Sequence, residues 1–123
     1  MRRNRLPIAL TCCAVALAAG SAAAQLRPDE VLVVYDSRIA DSLAVAEYYA
    51  GSAKVPGGAG GLPGARPGVR VMNLSGLAAV TAPGNIAYAS FAPQLRDPIR
   101  TFLTTNGLAQ RVRCLVLTKG LPH

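Results

Sequence analysis

The fold of this chain is constrained most by an unbroken run of apolar residues, VLVVY, at residues 31–35. Valine dominates the run, and β-branched residues favour strands over helices. A strand that is apolar at every position has to be covered on both faces, which is the usual situation of strands in parallel sheets. The run therefore predicts the central strand of a sheet that carries helices on both sides.

Two more strand-like segments follow, at residues 69–74 and 113–118, and a helical segment separates each strand from the next. Parallel strands need such crossover segments, whereas antiparallel strands can be joined by short turns. The alternation therefore predicts an α/β domain with a three-stranded parallel sheet. We favour the spatial strand order 2-1-3, because it places the two helices on opposite faces of the sheet.

The first helix is predicted to begin at a cap residue, Asp41 or Ser42, and to continue to about Ser52. Apolar residues at helical spacing indicate that one side of this helix covers the sheet. Tyr48 and Tyr49 are expected to pack between the helix and the sheet, with their hydroxyls in water.

The second helical region is predicted to begin near Ala87 and to end at Asn106 and Gly107, a pair that is typical of helix C-termini. Pro98 lies inside this region. Because proline fits the first turn of a helix, we expect the helix to restart or kink there, with Asp97 as its N-cap.

Residues 56–68, between the first helix and the second strand, contain nine glycines and prolines among thirteen residues. This composition neither continues a helix nor forms a core-facing strand, so it predicts a loop. A dinucleotide-binding loop would follow a strand directly and would need a glycine where Pro63 stands. We therefore interpret the segment as a flexible insertion.

Residues 1–24 have the three parts of a secretory signal peptide. Three arginines stand at the start, an apolar stretch occupies residues 8–19, and small residues follow, with Ala22 and Ala24 at the positions that signal peptidase reads. An uncleaved membrane helix is less consistent with this segment, because a membrane span needs about 20 strongly apolar residues. The sequence predicts Sec-type export to the periplasm or the extracellular space, with cleavage after Ala24.

Cleavage would lower the formal net charge from +7 to about +4, because three of the thirteen basic residues lie in the signal peptide. The remaining charges are scattered, whereas a nucleic-acid surface needs a concentrated basic face. Cys114 would be the one remaining thiol, and its apolar surroundings predict that it is buried. One histidine and one cysteine do not make a metal site, so neither a metal nor a cofactor is predicted.

Polar side chains follow each of the three predicted strands. Asp36 and Ser37 come after the first strand, Asn73 and Ser75 end the second, and Lys119 follows the third. Ligands of open α/β sheets bind beyond the carboxyl ends of the strands. These five residues are therefore the candidate ligand-binding residues, although each also has an ordinary role as a turn residue, a strand terminator or a solvated charge.

The third predicted strand would be an apolar edge with no helix after it. We therefore expect residues 25–123 to be the N-terminal portion of one α/β domain, an incomplete doubly wound or caspase-like one. Caspase- and gingipain-like cysteine peptidases carry their catalytic histidine after the third core strand, where His123 stands. Cys114 begins a strand and cannot be its partner, so this alternative requires a nucleophile beyond residue 123.

Four segments together resemble a family of secreted bacterial proteins of unknown function from genomes that carry the exosortase protein-sorting system. They are residues 26–34 (LRPDEVLVV), 41–49 (DSLAVAEYY), 95–100 (LRDPIR) and 114–122 (CLVLTKGLP). The resemblance covers the opening part of the family's length and departs from it at the Gly/Pro-rich loop. It implies an envelope or extracellular location and no known activity. The predicted function is thus a secreted ligand-binding or interaction module, with other envelope proteins as possible partners; the alternative is the cysteine hydrolase.

Overall fold

The computed structural model describes residues 25–75 and 86–121. The predicted signal peptide, residues 1–24, and His123 lie outside the described residues. The elements in chain order are a 3-10 turn Pro28–Glu30, β1 Val31–Tyr35, α1 Ala40–Ala50, β2 Arg70–Asn73, α2 Tyr88–Phe91, a π-helical turn Ala92–Arg96, α3 Asp97–Thr105 and β3 Cys114–Leu117.

The three strands form one parallel sheet in the order β2-β1-β3, so the predicted class and strand order are confirmed. Val33 of β1 pairs with Val71 on one side and with Val116 on the other. Both outer strands are shorter than predicted, since β2 omits residues 69 and 74 and β3 omits residues 113 and 118.

All five residues of β1 are buried, with at most 2% of their surface exposed, because both faces of the sheet are covered there. Alternate side chains point to opposite faces. Val31, Val33 and Tyr35 pack with residues of α1, and Leu32 and Val34 pack with residues of the π turn and α3. The prediction of helices on both faces is confirmed.

β3 is covered on one face only. Cys114 and Val116 pack against the α1-side cluster, whereas Leu115 and Leu117 are 46% and 43% exposed. Cys114 is half-buried rather than fully buried, because an edge strand has a neighbour on one side alone.

The predicted cap of the first helix is wrong. α1 begins at Ala40 after Ile39, with no side-chain cap, and Ser42 lies inside the helix. The Ser42 hydroxyl accepts a hydrogen bond from the Asp36 backbone N–H (2.9 Å), so it is engaged outside its own helix. Tyr49 packs against the core as expected, but Tyr48 is 65% exposed.

After a π-helical turn, α3 begins at Asp97 and carries Pro98 in its first turn. The prediction that Asp97 is the N-cap is wrong, because Asp97 is itself helical. A π-helical turn precedes Pro98, and the Asp97 N–H donates to the carbonyl of Ala92, five residues back. This wider turn accommodates a proline, which has no N–H and would crowd the carbonyl four residues earlier.

Residues 56–68 contain no helix or strand, as predicted, yet they are fixed to α1 by backbone hydrogen bonds. The N–H groups of Ala65 and Arg66 donate to the carbonyls of Tyr48 and Tyr49 (2.8 and 2.9 Å). The segment therefore packs on the C-terminal half of α1.

A buried carboxylate organises this loop. Glu47 of α1 is 2% exposed, and its carboxylate accepts hydrogen bonds from the N–H groups of Ala59 and Gly60 (both 2.7 Å) and from the Ser52 hydroxyl (2.8 Å). Successive backbone N–H groups of this kind form an anion-binding concavity. Here the concavity holds the chain's own carboxylate rather than a phosphate.

Candidate functional site

The carboxyl ends of the three strands meet at one edge of the sheet, which we call the rim. Tyr35 pairs with Asn73 at the end of β2, and the Thr118 N–H after β3 donates to the Val34 carbonyl (3.1 Å). The parallel register thus brings the polar residues that follow the strands to the same edge, as the sequence analysis predicts.

Asn73 joins two loops of the rim. Its side-chain oxygen accepts hydrogen bonds from the N–H groups of Ser37 (3.2 Å) and Ser75 (3.0 Å), and its side-chain nitrogen donates to the Ser37 hydroxyl (2.9 Å). Asn73 is exposed, while Ser37 and Ser75 are half-buried. The three residues therefore form one patch of amide and hydroxyl groups that solvent can reach.

Asp36 is the buried part of the rim, with 1% of its surface exposed. Its carboxylate accepts hydrogen bonds from the Arg38 backbone N–H (2.9 Å) and from the Arg38 guanidinium. The side-chain hydrogen bond from Arg38 outweighs desolvation and lowers the pKa of Asp36. Because the carboxylate faces Arg38, its role is to hold the turn and to position this half-exposed guanidinium.

Lys119 forms the second ion pair of the rim, with Asp41 in the first turn of α1 (2.6 Å). The hydrogen bond from the ammonium to Asp41 raises the pKa of Lys119. Both side chains are well exposed, so the pair adds little to stability. The two ion pairs nevertheless compensate the charges of Arg38 and Lys119, and the rim formed by these residues has no net charge.

A buried pair of hydroxyls supports the rim from below. Ser42 donates to the Thr118 hydroxyl, which in turn donates to the Val34 carbonyl (3.2 Å), and both residues are at most 3% exposed. This chain of hydrogen bonds connects the start of α1 to the ends of β1 and β3. It satisfies polar groups that would otherwise be costly to bury.

Sequence reasoning missed Arg38, and it considered Ser42 only as a helix cap. Ser42 could have been found from its spacing, because it lies four residues before Ala46 and eight before Ala50, both on the buried side of α1. A hydroxyl on that side has to find a buried partner.

The hydrolase alternative stays a prediction, because it expects its nucleophile beyond residue 123 and not at Cys114. His123 lies outside the described residues, and Cys114 pairs with Val31 at the amino end of the sheet, opposite to the rim. Among residues 25–75 and 86–121, no cluster of three or more histidine, cysteine or carboxylate side chains could hold a metal ion. The helices in these ranges are also too short or too polar to cross a membrane.

Comparison of the chain with family models, curated proteins and solved structures found no match. The resemblance to the exosortase-associated family therefore stays a prediction. The export predicted from residues 1–24 and the envelope location implied by the resemblance also stay predictions.

Proposed function

We propose that this protein is an exported binding module of the cell envelope and that the rim contacts its ligand. The observation that carries this proposal is the Asn73 side chain, which holds Ser37 and Ser75 side by side where the strands end. Ligand sites of open α/β sheets are built at this edge.

The charges of the rim favour a neutral, polar ligand over an ion. Arg38 and Lys119 are each paired with a carboxylate, so an incoming anion would have to compete with a bound partner. Amide and hydroxyl groups offer both donors and acceptors. They suit a ligand with hydroxyl or amide groups, such as a sugar or a peptide unit.

Binding at the rim is tested by titrating the ¹⁵N-labelled protein with a monosaccharide, with a dipeptide amide and with inorganic phosphate. We expect the two neutral probes to shift the amide signals of Ser37 and Ser75 at millimolar concentration, and phosphate to leave them in place. The Asn73→Ala variant should lose these shifts. Gln110→Ala, which removes an exposed amide near the amino end of β3, is the matched control and should keep them. Equal shifts in both variants, or none with either neutral probe, would overturn the rim proposal.

Export is tested by expressing the full chain in a bacterium and determining the N-terminus of the periplasmic product. We expect it to begin at Gln25, because Ala22 and Ala24 present small side chains to signal peptidase. Ala24→Leu should accumulate as the uncleaved precursor, whereas Ala23→Leu, at the position between the two read residues, should be processed. A product that keeps residues 1–24, or that stays in the cytoplasm, would contradict the export proposal.

A further inference from the structure

β2 has an open edge. Among the described residues its one neighbour is β1. The Leu74 N–H, just after β2, donates a hydrogen bond to the Tyr35 carbonyl of β1 (2.8 Å). Successive residues of a strand direct their backbone groups to opposite sides. Val71 and Asn73 therefore turn their N–H and C=O groups toward the open side, where an added strand could bond to them.

A groove runs along this edge between β2 and α3. It consists of two adjoining cavities of about 520 and 300 Å³ that share Phe102 and Asn106. The larger cavity is mainly apolar, with Met72, Pro98 and Phe102 in its wall. An edge strand beside a hydrophobic groove and a helix can take an extended peptide by β-strand addition, with alternate side chains filling the groove.

The two ends of the groove carry side chains of opposite charge. Lys54 and Arg70 line the cavity at the beginning of β2, and Asp97 lines the one at the beginning of α3. Asp97 is paired with Arg96 (2.8 Å), and the Lys54 ammonium donates to the Val69 carbonyl (2.8 Å). The basic end therefore favours a negative group, and within residues 25–75 and 86–121 no strand pairs with the edge of β2 beyond Val69.

We propose that this groove binds the C-terminal segment of a partner polypeptide as an added strand, with its terminal carboxylate at Arg70 and Lys54. Because β2 begins at Arg70, a peptide whose C-terminus lies there runs antiparallel to β2. Every second residue of the bound peptide is apolar and faces Met72 and Phe102. This site uses backbone groups of β2, including those of Asn73, together with α3, whereas the rim uses the Asn73 side chain. The proposal does not depend on the ligand proposed for the rim.

A lysine near a strand end also serves simply to discourage unwanted strand pairing. That role explains the contact of Lys54 with Val69. It does not explain the apolar cavity beside Met72, which continues along α3 past the reach of that contact.

The probe is a fluorescein-labelled heptapeptide of alternating valine and threonine with a free C-terminal carboxylate, titrated with the full chain by fluorescence anisotropy. We expect a Kd on the order of tens of micromolar, typical of a short peptide with few anchoring side chains. The same peptide with an amidated C-terminus should bind several-fold more weakly. A version with proline at every position whose N–H would face β2, which cannot donate to the β2 carbonyls, should not bind.

Two threonines of α3 provide matched variants, since both are exposed but only Thr105 lines the groove. Thr105→Arg should weaken binding at least tenfold, and Thr104→Arg should leave it unchanged. Arg70→Ser should remove the difference between the free and amidated peptides, whereas Arg100→Ser, on the same helix as the threonines, should preserve it.

Three results would overturn the proposal: no saturable binding up to about 1 mM, equal losses in the two threonine variants, or undiminished binding of the proline peptide. A self-associating chain that Thr105→Arg converts to a monomer would also overturn it, because a second copy would then occupy the groove. Circular dichroism of each variant checks that the exposed substitutions leave the fold intact.

Discussion

Gly64→Ala is expected to destabilise the protein by about 3 kcal/mol, or roughly 15 °C in Tm for a domain of this size. Gly64 has a φ of 87°, and a Cβ there would lie 2.6 Å from the backbone nitrogen of Gly51 and 2.7 Å from the carbonyl carbon of Ala50. Both neighbours are backbone atoms at the end of α1, so neither can move aside without disturbing the helix end. The measurement is a urea unfolding curve, which we expect to show a lower midpoint at an unchanged slope.

The matched control is Gly61→Ala in the same loop. Gly61 also has a positive φ, 79°, but no atom lies within 4 Å of the position its Cβ would take. We expect it to cost only the conformational strain, about 1 kcal/mol. Similar midpoints for the two variants would show that residues 56–68 are not packed against α1 as described.

Glu47→Gln is expected to lower the Tm at neutral pH by roughly 10 °C, less than Gly64→Ala. The Ser52 hydroxyl and the N–H groups of Gly60 and Ala59 all donate to the carboxylate. A glutamine would present its own NH₂ group to at least one of these donors, and the loop would lose an anchor on α1. Thermal unfolding followed by circular dichroism at pH 7 measures this difference.

The difference between wild type and Glu47→Gln should depend on pH in one direction. The hydrogen bond from Ser52 is the main cause that lowers the pKa of Glu47 below its ordinary value of 4.5. The stability gained from this group is therefore complete above pH 4.5 and is lost as the pH falls through the lower pKa of the folded protein. We expect the two melting temperatures to converge below about pH 4. A gap that stays constant down to pH 2.5 would contradict the role given to Glu47.

The sheet could be predicted from the sequence because its signal is local. The apolar run Val31–Tyr35 needs burial on both faces, and few arrangements other than a parallel sheet between helices provide it. The rim followed from the same reasoning, since parallel strands carry their C-terminal residues to one edge. Asn73 and Ser37 were predicted there, and their contact through an amide side chain is a detail that strand order alone does not supply.

The packing of the Gly/Pro-rich loop against α1 could not be predicted from the sequence. The expected packing of Tyr48 against the sheet is wrong, since Tyr48 is exposed, and the burial of Glu47 was not predicted. The loop folds back over the C-terminal half of α1, and its backbone N–H groups solvate the carboxylate in place of water. No periodicity within the helix carries that information, because the donors come from residues more than ten positions away.

The parallel meeting of strand ends at the rim is tested most directly by NMR distance measurements on the ¹⁵N,¹³C-labelled protein. We expect nuclear Overhauser contacts from the Asn73 side-chain amide to the backbone amides of Ser37 and Ser75, together with contacts that place Val33 between Val71 and Val116. Strong Hα–Hα contacts between β1 and either neighbour would instead indicate antiparallel pairing. Antiparallel pairing would place the carboxyl ends of neighbouring strands at opposite edges of the sheet. It would therefore contradict the arrangement of the rim.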